Sequence, residues 1–299
     1  MVLELKNIEK SFGQKKVLKG VSFRAESGHA FGLLGRNGAG KTTSIRILMD
    51  VFHADSGEVL LDVKPLDRAS LKIGYLPEER GLYPKKKIID QLVYFAELSG
   101  TPHKAAVESV DRWLSRLGMY EYRNKRLDTL SKGNQQKIQL ITALAHDPQI
   151  VILDEPFSGL DPVNARLLKN VVKEIIEKDK IVLFSSHQMN YIEEFCDRIA
   201  IINDGRVVLH GDLYDIKRSY PRDRLLVRTE QPEKVREAFG DTCRDGEQGA
   251  LIVQLSSAEE KNAAMEKLLG LCDIDEIKVH EPSLGDIFVE YTDREGEEK

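Results

Sequence analysis

Eight consecutive residues constrain this 299-residue chain more than any other feature. They are Gly35-Arg36-Asn37-Gly38-Ala39-Gly40-Lys41-Thr42, which fit G-x-x-x-x-G-K-[S/T] without a mismatch. The apolar run His29–Gly35 precedes them, and Thr42–Met49 follows with helical spacing. The local fold expected is strand, glycine loop, helix. Glycines let the backbone wrap closely, so that successive N–H groups point at phosphate oxygens. The helix beginning near Lys41 adds the positive end of its dipole. Lys41 is then placed to reach β- and γ-phosphates, and the Thr42 hydroxyl to ligate Mg²⁺. A chance glycine-rich turn before a helix is the alternative, and the flanking strand and helix count against it.

Such a phosphate loop needs an acidic residue at the end of a buried strand. Ile150-Val151-Ile152-Leu153-Asp154-Glu155 supplies one. Asp154 is expected to hold Mg²⁺ through water, and Glu155 to polarise an attacking water as general base. Ser185-Ser186-His187 ends another apolar strand, and open parallel α/β sheets bind ligands at those ends. His187 can there hydrogen-bond a γ-phosphate; a lone histidine is as readily structural, and both readings stand. Leu130–Lys137 opens a helix, with Ser131 as N-cap and a second concentration of Ser, Gly and Lys. One nucleotide does not need two cradles so far apart. This stretch is either an ordinary capped surface helix or the cradle of a second nucleotide shared between two copies.

Buried apolar strands at 150–153, 181–184 and 198–202 alternate with helical patterns at 164–178 and 189–196, which indicates a parallel α/β sheet. Residues 2–8 and 17–24 alternate like half-buried strands. Residues from about 85 to 145 read as a helical insertion. Charge then changes along the chain: 12 Lys+Arg and 20 Asp+Glu lie in 218–299, a net of −8, leaving 32 and 29 in 1–217, a net of +3. A domain boundary is placed at that step, between residues 217 and 218. The second part reads as a small α+β domain of the ferredoxin-like kind, with strands at 224–229, 250–255 and 274–279 and helices at 231–239 and 258–271. Ser283 and Asp286 are spaced as a capping box, and Leu284, Ile287, Phe288 and Tyr291 share one helix face. Residues 294–299 read as a fraying tail.

Together these motifs resemble the ATP-binding-cassette (ABC) ATPases across roughly residues 1–215. Gly35–Thr42 matches Walker A, Ile150–Glu155 Walker B, Leu130–Gln135 the LSGGQ signature, Ser158–Asp161 the D-loop and His187 the switch histidine. The fold class implied is α/β, a P-loop NTPase cassette with a helical subdomain, followed by the small α+β domain. The resemblance implies ATP and Mg²⁺ as cofactors. Phe12 would stack on adenine, and Gly35, Arg36, Asn37, Gly38, Ala39, Gly40, Lys41, Thr42 and Thr43 would hold the phosphates. Thr42, Asp154 and Glu78 would ligate the metal, and Glu155 and His187 would serve catalysis. Ser131, Gly133, Asn134 and Asp161 would act on the nucleotide of a second copy, or of a paralogous cassette, arranged head to tail. Lys132 and Asn134 depart from LSGGQ, while Ser131 and Gly133 are kept. Glu78 stands where many members have glutamine, so it brings an extra negative charge.

The C-terminal sequence EPSLGDIFVEYT resembles the accessory domain of ABC-2-type exporters, in a regulatory or dimer-supporting role. The activity implied is ATP hydrolysis coupled to transport through a separate membrane permease, docked near Arg80-Gly81-Leu82-Tyr83-Pro84. No apolar stretch reaches the ~18–20 residues of a span, and the first residues lack an apolar leader segment. Three scattered cysteines make no disulfide framework. The location expected is cytoplasmic, on the inner face of the membrane. A soluble ABC ATPase working on ribosomes or nucleic acid is the alternative. A net charge of −5, an acidic accessory domain and the lack of sustained heptads oppose it, so no nucleic-acid partner is expected. A regulator with little turnover is opposed by the presence of Glu155.

Overall fold

The computed structural model describes residues 1–68, 71–79, 81–157, 160–246 and 249–293. Arg80, Ser158, Gly159 and the tail 294–299, all named above, lie outside the described residues. The chain divides into two compact units. One is Met1–Gly211 with the residues from Phe288 onward, the other Asp212–Ile287.

In the first unit, β1 (Val2–Phe12) and β2 (Lys15–Glu26) form a long antiparallel hairpin, paired from Val2↔Glu26 to Phe12↔Lys15. Next come β3 (Ala30–Leu34) and α1 (Lys41–Leu48), then β4 (Ser56–Leu61), β5 (Lys64–Pro65) and β6 (Ile73–Leu76). The stretch 88–145 contains α2 (Ile88–Leu98), α3 (His103–Arg116) and α4 (Lys132–Leu144), with short 3₁₀ turns before α4. Then follow β7 (Ile150–Asp154), α5 (Pro162–Glu177), β8 (Ile181–Ser185), α6 (Met189–Phe195), β9 (Arg198–Asn203) and β10 (Arg206–Asp212). One sheet runs β2-β1-β4-β5; the other runs β10-β9-β3-β8-β7-β6. Within the second sheet β9, β3, β8, β7 and β6 are mutually parallel.

Every residue of β3, β7 and β8 is buried. That explains their continuous apolar runs: both faces are covered. Phe31, Leu33, Ile150, Ile152, Ile181 and Leu183 join one core with Leu3, Leu5 and Leu18 of the hairpin and Ile45 of α1. The alternate residues face the other way; the Phe184 ring stacks with Phe195 of α6, centroids 5.9 Å apart. Each such side chain taken from water contributes about 1.5–3 kcal/mol. The strands at 56–61, 64–65 and 206–212 carry no clear apolar pattern and that at 73–76 is only a short apolar run broken by Gly74, and the sequence expectation omitted all four. The first half of β4 is exposed, and β10 is mostly half-buried with no fully buried residue.

The second unit contains α7 (Leu213–Ser219), β11 (Arg224–Arg228), α8 (Pro232–Phe239), β12 (Cys243–Asp245), β13 (Leu251–Gln254), α9 (Lys261–Leu271) and β14 (Glu276–Val279). From β11 onward this is β-α-β-β-α-β, with strand order β12-β13-β11-β14 and antiparallel pairing. That is the ferredoxin-like arrangement. The unit starts at Asp212, six residues before the charge step, where the Asp212 carboxylate caps α7. Helix α10 (Leu284–Asp293) begins with the spaced cap: Ser283 Oγ accepts from the Asp286 N–H at 3.1 Å, and Asp286 Oδ2 accepts from the Ser283 N–H at 2.9 Å.

His146, just after α4, is buried, and its Nε2–H donates to the Ile73 carbonyl at 3.2 Å. Burial pushes its pKa below the ordinary histidine value. The unfolded chain therefore binds this proton more readily than the folded one, so stability falls as pH drops below about 6.5. His146→Gln, which keeps a donor, should flatten that part of the stability–pH curve in urea titrations. An unchanged curve would assign the acid sensitivity elsewhere.

Candidate functional site

The loop between β3 and α1 is held by two close approaches. A Cβ on Gly35 would lie 2.5 Å from the Ile202 carbonyl oxygen of β9. Gly40, at φ 119°, adopts a conformation that suits glycine, and a Cβ there would lie 2.5 Å from Leu18 of the hairpin. The spacing of the loop glycines therefore has a steric cause as well as a chemical one. Lys41 is only 8% exposed; its ammonium donates to the carbonyls of Gly35 at 2.6 Å and Arg36 at 3.3 Å. Burial lowers its pKa, while Glu155, Asp154 and Glu78 oppose that shift.

The facing wall comes from the ends of the adjacent strands. β7 and β8 pair in register from Ile150↔Ile181 to Asp154↔Ser185, so both end at one level. Glu155 follows with φ 50°, an unusual conformation for a residue with a side chain. It costs on the order of 1–3 kcal/mol. Its N–H still donates to the Ser185 carbonyl at 2.8 Å. The turn aims its buried carboxylate at the next segment. Oε2 accepts from the Ser186 hydroxyl at 2.9 Å, and Oε1 from the His187 N–H at 2.7 Å. The His187 ring Nδ1 lies 2.6 Å from the same Oε1. Two donors, with the ring beside them, fix one carboxylate.

Asp154 is 3% exposed, with the Tyr75 hydroxyl 3.4 Å from its Oδ2. Burial raises its pKa above the ordinary carboxylate value, and Glu78 and Glu155 add to the rise. The Tyr75 hydroxyl is pushed up to about 12 by burial and by Asp154. These groups surround an open cleft of about 300 Å³, the lower end of the ligand-pocket range. Phe12, Arg36, Asn37, Gly38, Gly40, Lys41, Thr42, Thr43, Glu78, Asp154, Glu155 and His187 all line it. Gly35 and Ala39 build the loop's backbone: the Ala39 N–H donates to the Arg36 carbonyl at 3.0 Å.

Ser131, Gly133, Asn134 and Asp161 are not among the cleft's lining residues. Ser131 Oγ caps α4, accepting from the Asn134 N–H at 3.3 Å. Asp161 Oδ1 caps α5, accepting from the Val163 and Asn164 N–H groups at 3.0 and 2.9 Å. A Cβ on Gly133 would lie 3.7 Å from Asp161 Oδ2, so these two segments adjoin one another. Four residues of the site escaped the sequence reading. Lys15 and Val17 line the cleft, Tyr75 faces Asp154, and Ser186 holds Glu155. Hairpin register could have found the first pair, since Lys15 sits directly opposite Phe12.

The donor set of a hydroxyl and carboxylates suits a hard cation such as Mg²⁺. Among the described residues no three His, Cys, Asp or Glu side chains form a cage for a metal. Mg²⁺ needs none where it keeps waters and phosphate oxygens.

The raised Asp154 pKa means the folded protein binds that proton more tightly than the unfolded chain. The charged form therefore costs stability at pH 7, and the cost fades as pH falls through the raised value. Asp154→Asn should raise the thermal midpoint of the nucleotide-free protein at pH 7, with the gain shrinking towards about pH 4. Scanning calorimetry checks this; an unchanged or lower midpoint at pH 7 contradicts it.

Comparison with known proteins follows the same division of the chain. The ABC transporter family profile matches residues 18–158, and that of the ATP-binding protein DrrA1-3-like C-terminal domain matches residues 211–292. The uncharacterized ABC transporter ATP-binding protein YhaQ of Bacillus subtilis is 40% identical over 97% of this chain and 98% of its own. The Nod factor export ATP-binding protein I of Burkholderia lata is 30% identical over 98% of this chain and 97% of its own. A solved ATP-binding subunit of an ABC transporter is similar with a TM-score of 0.68 at 28% identity, covering 73% of this chain and 93% of that one. With the phosphate loop and strand-end carboxylates in one cleft, and with likeness over nearly the whole length, this chain belongs to the ABC transporter ATP-binding proteins.

Proposed function

We propose that the chain binds ATP with Mg²⁺ in this cleft, hydrolyses it, and powers transport through a separate membrane permease. The observation that carries the reading is the Glu155 carboxylate, fixed by Ser186 and His187 beside the buried Lys41. Phe12, 44% exposed on the cleft's rim, offers its ring to the adenine. Lys41 and the N–H groups of the loop bind the β- and γ-phosphates. Thr42 and Asp154 would hold Mg²⁺, with Glu78 beside them; the ion supplies neutralisation of charge building on the phosphates.

Glu155 takes a proton from water as the water oxygen bonds to the γ-phosphorus. The bond to the β–γ bridging oxygen breaks, and ADP leaves with that electron pair. His187 steadies Glu155 and the γ-phosphate through alignment rather than by taking the proton.

Two cassettes are needed in this reading. Ser131, Gly133, Asn134 and Asp161 lie apart from the chain's own cleft, which supports their use on the nucleotide of a second copy or a paralogue. Among the described residues no helix is long and apolar enough to cross a membrane, so the reading places the chain at the inner membrane face through its permease. Exposed Tyr83, Tyr94 and Leu98 support docking on the helical side. The full-length likeness to a Nod factor export protein supports export as the direction. The acidic C-terminal unit is assigned a regulatory or dimer-supporting role.

Lys41→Ala should abolish tight ATP binding, because it removes the cation facing the phosphates. Calorimetric titration in Mg²⁺ buffer checks this, and wild-type affinity would refute the assignment. Glu155→Gln, which slows turnover, should dimerise on ATP. Light scattering with and without nucleotide tests it; a particle that stays monomeric at high ATP and protein concentrations rejects the two-copy reading.

A further inference from the structure

Two glutamines of α4 lie under the loops that carry the site's carboxylates. Gln136 and Gln139 are 8% and 4% exposed. Three residues apart, they share a helix face. Neither lines the cleft. The Gln139 Nε2 donates to the Pro77 carbonyl at 3.2 Å and to the Glu79 carbonyl at 3.0 Å. Those carbonyls flank Glu78 on both sides. The Gln136 Nε2 donates to the carbonyl of Pro156, the residue after Glu155, at 3.3 Å. β6 ends at Leu76, so Pro77 and Glu79 lie beyond its ladder.

We infer that Gln139 is the positioning residue for Glu78, clamping the short segment that carries this carboxylate to the body of α4. The clamp answers an electrostatic problem. Glu78 adds a third negative group to Asp154 and Glu155 around one cleft. Like charges push such a loop outward when no cation is bound. A loop carboxylate free to swing holds neither a cation nor a water in a fixed place. Both protons of one buried amide, spent on the two carbonyls around it, remove that freedom. Breaking the pair would leave the buried Gln139 side chain without acceptors and two part-buried carbonyls without their donor. Gln136 acts in parallel on the loop after Glu155, so α4 is tied to both acidic segments. α4 begins at Lys132 and its N-cap is Ser131, so one rigid helix links the signature stretch to the carboxylates of its own copy.

This inference rests on the reading of Glu78 as a group beside the metal, and the test separates the two. Full-length Gln139→Met keeps length and volume but loses both donors. Gln139→Glu keeps the shape and turns an oxygen towards the carbonyls. Each is made in the wild-type and Glu78→Ala backgrounds. The readouts are kcat, the KM for ATP, the thermal midpoint, and Mn²⁺ affinity measured by EPR with a non-hydrolysable ATP analogue.

In the wild-type background, kcat and Mn²⁺ affinity should each fall by about tenfold or more, with KM within about twofold. In the Glu78→Ala background both losses should vanish, since the clamp then holds nothing that acts. Equal losses in both backgrounds, or unchanged Mn²⁺ affinity, overturn the inference while leaving the role of Glu78 standing. Glu78→Ala matching the wild type in both rate and Mn²⁺ affinity overturns the two together. Should Gln139→Met fail to fold, shown by its melting curve, Gln139→Glu carries the same comparison.

Discussion

The site depends on the way β7 and β8 end side by side. Their parallel ladder brings Asp154 opposite Ser185. The chain then turns through the left-handed conformation at Glu155, and the segment just after β8 offers the Ser186 hydroxyl and the His187 N–H to its carboxylate. A shift of one residue in that register would send the side chains of β7 to the opposite face. The continuous burial of both strands makes such a shift expensive. The apolar runs of these strands therefore serve the chemistry indirectly, by fixing where the polar chain begins.

The same region works against stability. A buried lysine, two buried carboxylates, a strained backbone and a third acidic group share one cleft. Burial moves Lys41 and Asp154 towards their neutral forms, in opposite directions of pKa. Each carboxylate in turn supports the lysine's charge. Strain concentrated at a working site and offset by a well-packed sheet is a common pattern.

The phosphate loop was legible because its chemistry is local: eight residues carry their own steric and electrostatic logic. Asp154, Glu155 and His187 were legible because apolar runs point to their own ends. Lys15, Val17, Tyr75 and Ser186 were not, since each acts through a partner distant in sequence or through strand register. Strand β6 was hidden by its length and by Gly74 inside a short apolar run. β12 has three residues with little burial and left no period to read. Gln139 was read only as part of the helical insertion. Its partners lie about sixty positions earlier, a distance that spacing alone does not bridge. Ser131 read correctly as a cap on local grounds; the cap that Asp161 makes on α5 was not read, and the further roles proposed for both require a second copy.

In the proposed reaction Glu155 accepts the proton while the groups that bind ATP work without it. The most direct test compares steady-state ATPase rates and ATP dissociation constants of the wild type, Glu155→Gln, His187→Ala and the double variant. The account predicts that Glu155→Gln loses about 10²–10⁴-fold in rate with its dissociation constant preserved. His187→Ala should also be slowed, and the double variant barely worse than the slower single, because both act on one step. Wild-type turnover in Glu155→Gln would contradict the account and make Glu78 the next candidate for the base.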